Sequence, residues 1–450
     1  MNLNDTIAAI ATPVGEGGIG VIRVSGPDAL KATAKNFRPL GKPAKEMESH
    51  RLYFGTLLSE TEIIDEVCLV YMKAPRSYTR QDCVEISCHG SPAVLRRALK
   101  LIMDNGARMA EPGEFTKRAF LNGRINLSQA EGVIDLIKAR SEGAATAALQ
   151  LMEGGLSARI EAAKQKLLQI LSHLEASIDF PDEELETATD EQILKLLDES
   201  IHKVDSLVRS YESGRFLKTG MKIAIIGKPN VGKSSLLNAL LEEERAIVTK
   251  HPGTTRDLIH GESEIAGFPV EFIDTAGLNK SPDEVESIGI ERTLKAAREA
   301  DLVIALFDGS RPWDEEDDKV FETLKELKNL IALINKSDAE RKLLWPDASM
   351  KISAISVNNR TGFESIEEAV KMTAGSIRPG VEPLVTRARH LSIFKRISDD
   401  LKRARNELAI GREIAAAEIW DAVEEIKRFT GESYTEEVLS KIFDEFCIGK

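Results

Sequence analysis

Eight residues carry the strongest chemical signal in the chain: Gly227-Lys228-Pro229-Asn230-Val231-Gly232-Lys233-Ser234, with the spacing G-x-x-x-x-G-K-[ST]. Phosphate needs several N–H donors at close range. Glycines therefore line such a loop, and a helix N-terminus faces the anion. Lys233 supplies a cation to the β- and γ-phosphates, and the Ser234 hydroxyl suits Mg²⁺. Gly253-Thr254-Thr255-Arg256-Asp257 follows, with Thr255 as the natural second protein ligand to Mg²⁺. Asp274-Thr275-Ala276-Gly277 comes directly after the strand-like Val270 to Ile273. Asp274 would hold Mg²⁺ through water, and the Gly277 N–H would sense the γ-phosphate. Asn335-Lys336-Ser337-Asp338 ends the apolar run Leu330 to Ile334. A carboxylate at Asp338 can accept from both N1–H and the 2-amino group of guanine, a donor pair that adenine lacks. Ser353-Ala354, after Lys351-Ile352, fits the last base-contacting loop. These motifs in this order predict a GTP-hydrolysing domain.

Two details depart from the commonest version of that chemistry. The residue after Gly277 is Leu278, where Ras-like enzymes use a Gln to orient the attacking water. Glu286, in Asp283-Glu284-Val285-Glu286-Ser287-Ile288-Gly289, is a candidate for that task, or else a solvated helical glutamate. The amide of Asn230 could hold a monovalent cation over the phosphates, or merely stabilise the turn of the loop.

Other candidates lie outside the phosphate set. The chain has four cysteines, and its end reads Phe446-Cys447-Ile448-Gly449-Lys450. Gly449 and Lys450 fit a prenylation box badly. A frayed tail is the ordinary alternative. Against it, Leu439, Ile442, Phe443 and Phe446 form an apolar stripe that should dock the last helix and carry Cys447 into the fold. A helix C-terminus would disfavour the thiolate there. Cys83 and Cys88-His89 fit no common zinc spacing and read as buried thiols.

Length and composition bound the elements that must position these groups. A chain of 450 residues is too long for one core, and two to four domains are expected. The hydrophobic share of 42% and charged share of 30% suit a soluble globular protein. The net charge of −13 argues against one large basic surface for nucleic acid. No segment approaches the length of an apolar membrane span, the first residues do not read as a signal peptide, and so few cysteines suit a reducing cytosol.

Residues 1–118 mix short β-like runs, Ile19 to Val24 and Val67 to Met72, with a helix from Pro92 to Met103; the region looks α+β. From about Ser128 the texture is helical. Leu156, Ile160, Ala163, Leu167, Leu171, Leu174 and Ile178 form one stripe, which stops near Asp179-Phe180-Pro181 before the acidic Asp182-Glu183-Glu184. Gly214 to Gly220 is a candidate boundary. From Met221 to about Gly375 strands and helices alternate as in a parallel sheet. Helices resume after Pro379, with Ile393, Ile397, Leu401, Ala404 and Leu408 on one stripe. The expected architecture is multidomain: an α+β domain over 1–118, an all-α domain from 119–213 and 379–450, and an α/β P-loop GTPase domain inserted over 214–378.

The blocks ATPVGEGGIGVIRVSG, PGEFTKRAFLNGRINLSQAEGVIDLI, GKPNVGKSSLLNAL, HPGTTRDL, DTAGL, DEVESIGIER and terminal CIGK together resemble the MnmE (TrmE) tRNA-modification GTPase family. The resemblance covers essentially the whole chain. It implies an N-terminal domain that binds folate and dimerises, a helical domain of two stretches, and a Ras-like G domain between them. It implies GTP/GDP contacts at Asn230, Val231, Gly232, Lys233, Ser234 and Ser235, at Thr249, Lys250, His251, Pro252, Gly253, Thr254 and Thr255, at Asp274, Thr275, Ala276 and Gly277, and at Asn335, Lys336, Asp338, Ser353 and Ala354. Mg²⁺ falls to Ser234 and Thr255, K⁺ to Asn230, Thr249, His251 and Thr254, and the orientation of water to Glu286. A 5-formyl- or methylene-tetrahydrofolate would meet Arg23, Glu85 and Lys450, with Arg124 where the family usually has Lys. Cys447, carried in by the docked last helix, is expected to sit beside the folate pocket and to serve the modification rather than GTP hydrolysis. The implied activity is K⁺-dependent GTP hydrolysis that, with an FAD-dependent MnmG-type partner in a heterotetramer, adds a (carboxymethyl)aminomethyl group to C5 of the wobble uridine of certain tRNAs. A cytoplasmic homodimer with no membrane contact completes the expectation.

Overall fold

The computed structural model describes residues 3–13, 15–40, 47–60, 62–180, 188–245, 262–273, 295–325, 327, 329–347, 350, 352–375 and 382–450. Its chain forms two compact units, residues 1–134 with 427–450, and residues 135–426.

The first unit is built on a seven-stranded sheet. Its strands are β1 (Ile7–Ile10), β2 (Gly17–Ser25), β3 (Phe37–Pro39), β4 (Leu52–Ser59), β5 (Glu62–Met72), β6 (Cys83–Gly90) and β7 (Arg108–Met109), in the order β3-β4-β5-β6-β2-β1-β7. Neighbours are antiparallel except β1 and β7. Both strands read from the sequence lie inside β2 and β5, and the helix read from Pro92 is Pro92–Asp104. The period of two decides which residues the core takes. Ile22 and Val24 of β2, Leu69 of β5 and Val84 and Ile86 of β6 face that helix, which buries Leu95, Ala98, Leu99 and Ile102 against them. The same alternation turns Arg23 and Glu85 to the other face. There they stand directly opposite each other in the β2–β6 register.

On that face Ile7 and Ala9 of β1 are covered by Ala110, Phe115 and Tyr78. The end of the chain packs nearby. Leu439, Ile442, Phe443 and Phe446 are buried with Phe120, Leu127, Ala130 and Ile134, so the expected stripe docks. The helix itself, Glu436–Phe443, stops before Phe446. Cys447 therefore lies beyond the helix rather than in its last turn.

The second unit holds the long helices and a six-stranded sheet. Helix Gly155–Asp179 buries Leu156, Ile160, Ala163, Leu167, Leu171 and Leu174, and it ends at Phe180 as the sequence pattern predicts. Ile178 is only partly buried, at the edge of the stripe. Helix Ala388–Glu407 buries Ile393, Ile397, Leu401 and Ala404, with Leu408 buried just after it, and packs on helix Asp190–Arg209. The stretch Gly214 to Gly220, a candidate boundary in sequence, is helical as far as Thr219. Gly214 sits inside helix Tyr211–Thr219 because a Cβ there would lie 2.2 Å from the Val385 carbonyl oxygen. Close approach explains that glycine; the break comes at Gly220, at φ +80°.

The sheet runs between the two helical stretches. Its strands are β8 (Met221–Ile226), β9 (Glu262–Ile265), β10 (Phe268–Ile273), β11 (Leu302–Asp308), β12 (Leu330–Asn335) and β13 (Ile352–Ala354), in the order β13-β12-β11-β8-β10-β9. All neighbours are parallel except β9 and β10. Every residue of β11 is buried, as a central strand covered on both faces requires. The chain is thus α+β, all-α and α/β in its parts. No helix among the described residues is long and apolar enough to cross a membrane.

Candidate functional site

The phosphate loop leaves β8 and enters helix Lys233–Arg245, the strand–loop–helix context the motif requires. Its two glycines are fixed by crowding, from a passing backbone at Gly227 and from the Asn335 side chain at Gly232. A Cβ at Gly227 would lie 2.3 Å from the Leu306 carbonyl oxygen, and one at Gly232, where φ is +105°, 2.3 Å from Asn335 Nδ2. Asn230 adopts φ +65°. Asn tolerates the left-handed region better than most residues, so the turn-stabilising reading of Asn230 has a structural basis and does not compete with a role for its amide. Lys233 Nζ donates to the carbonyls of Gly227 (2.8 Å) and Lys228 (2.7 Å). Burial pushes the pKa of Lys233 down, so an anion at the helix N-terminus would favour its charged form. Ser234 and Ser235 are exposed at the start of that helix.

The residues expected to recognise the base reach the loop through the ends of β11, β12 and β13. Asn335 Nδ2 donates to the Val231 carbonyl (2.8 Å), and Asn335 Oδ1 accepts from the Val357 N–H (3.2 Å). Its amide thus ties the phosphate loop to the base end of the site. Lys336, at φ +63°, sends Nζ to buried Asp308 (2.7 Å), which also accepts from Ser310 and Arg311. Asp338 accepts from the Ser356 hydroxyl (2.6 Å). That hydrogen bond first, then its own backbone and Asn358, hold its carboxyl below the usual range, so it is ionised at neutral pH. Ser353 and Ala354 end β13, and the loop that closes on Asp338 and Asn335 is formed by Ser356 and Val357 just after them. Neither of those two, nor Asp308, belongs to the motif spacings read from the sequence.

This geometry makes a specific prediction. In Asp338→Asn the Ser356 hydroxyl can still donate to the remaining oxygen, which turns the amide N–H₂ to the base. Xanthine has a carbonyl where guanine has its amino group. We expect weaker GTP binding and a gain for xanthosine triphosphate, read by competition binding. No gain would mean that Asp338 does not meet the base.

Thr249, Lys250, His251, Pro252, Gly253, Thr254, Thr255, Asp274, Thr275, Ala276, Gly277, Leu278 and Glu286 lie outside the described residues, as does the acidic run Asp182 to Glu184.

A second cluster occupies the outward face of the first unit. Arg23 Nε donates to Glu85 Oε1 at 2.8 Å, an ion pair between two of the expected folate residues. Arg23 also lies over the Tyr78 ring (5.1 Å to the centroid) and near Phe115, and its Nη1 reaches the Gly449 carbonyl at 3.4 Å. Arg124 stacks on the same Tyr78 ring at 4.7 Å and donates to the Tyr78 carbonyl at 3.1 Å. The tail is tied down as well: the Phe115 N–H donates to the Lys450 carbonyl, and Gly449, at φ +98°, packs so close to β1 that a Cβ would lie 2.4 Å from the Ile10 carbonyl. It does not fray. Burial first, then the charge of Arg23, lower the pKa of Lys450, while Glu85 opposes. Arg23 and Arg124 thus share the face of Tyr78, which no spacing singled out, while Glu85 pairs with Arg23 and Lys450 feels the charges of both Arg23 and Glu85. Cys447 is exposed. Cys83 and Cys88 are buried, Cys83 hydrogen-bonded to Ser25 and Thr79, and burial pushes the Cys88 thiol up to about 12.

The family description "GTP-binding protein TrmE N-terminus" matches residues 6–124, and "MnmE helical domain" matches residues 127–447. Proteins named tRNA modification GTPase MnmE are similar over the full length: that of Aquifex aeolicus (strain VF5) is 42% identical, covering 100% of each chain, and that of Geobacter sulfurreducens is 42% identical with the same coverage. That of Lactococcus lactis subsp. cremoris (strain MG1363) is 42% identical over 99% of this chain and 98% of its own. The G domain of the T. maritima FeoB iron transporter is 28% identical over 34% of this chain and 98% of its own, at a TM-score of 0.26. The end-to-end identity to named relatives leaves no part of the chain outside the match, and the chain belongs to the MnmE (TrmE) family of tRNA-modification GTPases.

Proposed function

We propose that this GTPase uses K⁺-dependent GTP hydrolysis to drive addition of a (carboxymethyl)aminomethyl group to C5 of the wobble uridine of certain tRNAs. It acts in the cytoplasm with an FAD-dependent MnmG-type partner and a folate one-carbon unit. The observation that carries this reading is one cluster in which Arg23 and Arg124 share the Tyr78 ring, Arg23 pairs with Glu85, and Lys450 feels the charges of Arg23 and Glu85. A GTP-driven switch alone has no use for it. The cluster suits a flat, anionic, hydrogen-bonding ligand. Tyr78 offers an aromatic body, Glu85 accepts N–H groups, and Lys450, its charge disfavoured by burial, would be relieved by a carboxylate. When bound, tetrahydrofolate supplies the one-carbon unit; Arg23, Glu85, Arg124 and Lys450 would hold and orient it.

At the G site, Ser234 with Thr255 would hold Mg²⁺, and Asn230 with Thr249, His251 and Thr254 would hold K⁺. The two ions supply fixed positive charge at the phosphates. Glu286 would orient water. A homodimer fits the outward sheet face of the first unit, where Leu52 and Phe54 of β4 are exposed on the side opposite the helix-covered core.

The direct test is mass spectrometry of wobble uridines in tRNA from a strain that lacks this chain. We expect loss of the C5 modification and its return on complementation. Unchanged modification would sink the reading and favour a GTP-switched assembly factor.

A further inference from the structure

We propose that Lys228, the second residue of the phosphate loop, is a positioning residue for GTP hydrolysis, clamping the γ-phosphate side of the loop to the helix Glu315–Leu324 through Asp314 and Asp317. A lysine beside a phosphate site would ordinarily be read as a phosphate contact. Here it points the other way. Its Nζ donates to both carboxylate oxygens of Asp314 at 2.7 Å and to Asp317 Oδ2 at 2.8 Å, and Lys228 and Asp317 are buried.

The carboxylates are themselves held. Asp314 N-caps that helix, accepting from the N–H groups of Glu316 and Asp317, and Asp317 returns a bond to the Asp314 N–H in a capping box. Trp313, next to the cap, stacks on Phe307 of β11 at 5.2 Å. Asp314 is exposed but tied down by its cap bonds, and Asp317 is buried, so the cation grips the start of the helix. The two hydrogen-bonded carboxylates outweigh its burial, so Lys228 keeps its charge.

The consequence lies in the backbone. Gly227 and Lys228 provide the two carbonyls that seat Lys233 Nζ, and Asn230 turns left-handed two residues later. The segment that presents Lys233 and Asn230 is therefore fixed at its start by the Lys228 side chain. The backbone N–H donors at the beginning of helix Lys233–Arg245 are set by that helix and not by the Lys228 side chain. Loss of the clamp should leave GDP held by the helix N-terminus while the groups that act at the γ-phosphate lose their places.

The proposal rests on GTP hydrolysis by this chain, which turnover by the wild type establishes separately. Lys228→Met alone leaves Asp317 buried without its cation and can unfold the domain. The double variant Lys228→Met with Asp317→Asn removes both charges. Thermal melting, fluorescent GDP binding and steady-state turnover are measured on the full chain. For the double variant we expect a melting temperature near wild type, GDP affinity within about threefold, and kcat at saturating GTP lowered at least about tenfold. Lys228→Arg, which can reach both carboxylates, should restore at least half of kcat. Wild-type kcat in a folded double variant, or equal losses of GDP affinity and kcat, would overturn the proposal and leave the clamp a stabilising contact only.

Discussion

Replacing Cys447 with serine is expected to abolish the wobble-uridine modification while GTP turnover, folding and folate binding stay near wild type. The thiol is exposed, so serine removes no packing. Its neighbourhood is held by other residues. Phe446 is buried, Gly449 packs against β1 and takes a hydrogen bond from Arg23 at 3.4 Å, and the Lys450 carbonyl accepts from Phe115 at 3.1 Å. Cys447 stands two positions before Gly449, whose carbonyl accepts from Arg23. A serine hydroxyl has nearly the same shape but is a far weaker nucleophile at neutral pH. If the thiol serves the chemistry, the loss is confined to product formation, measured as modified uridine in tRNA from a Cys447→Ser strain. Fully modified tRNA from that strain would show that the thiol is dispensable and that the tail only supports the cluster.

The second large effect is ionic. We expect exchange of KCl for NaCl at matched ionic strength to lower GTP turnover at least about a hundredfold, since a positive group at the transferring phosphate in related enzymes is worth roughly 10³–10⁵. Leu278 cannot orient water, and the loop offers an amide at Asn230 instead of a charged finger. The structure refines the variant that tests this. Asn230 is at φ +65°, so Asn230→Ala strains the loop as well as removing the amide. Asn230→Gly keeps the left-handed turn and removes only the side chain. It should lose the K⁺ response while retaining much of its nucleotide affinity, because the backbone donors and Lys233 remain. Equal turnover of wild type in the two salts would remove K⁺ from the mechanism.

Much of this molecule could be read locally. The strand-like run Ile19 to Val24 alternates Ile22, Arg23 and Val24 between opposite faces, and the stripes at 156–178 and 393–408 named the buried sides of their helices, with Ile178 only at the edge. Gly227 to Ser234 carried its meaning in spacing alone, since a phosphate cradle is a local backbone shape that glycines permit. Gly214 misled for the opposite reason. A glycine required by a passing backbone looks in sequence like one required by a turn, and only the approach of Val385 distinguishes them.

What the sequence determined by itself was therefore the chemistry of each segment and the class of each domain: periodicity and motif spacing are properties of neighbouring residues. The tertiary structure decided which segments meet. Arg23 touches Gly449 across 426 positions, Lys228 pairs with Asp317 across 89, and Asn335 ties to Val231 across 104. No local pattern encodes such pairings, because they arise only when sheet order and helix packing bring the ends of distant strands together. Tyr78 stands between Arg23 and Arg124 on those terms alone.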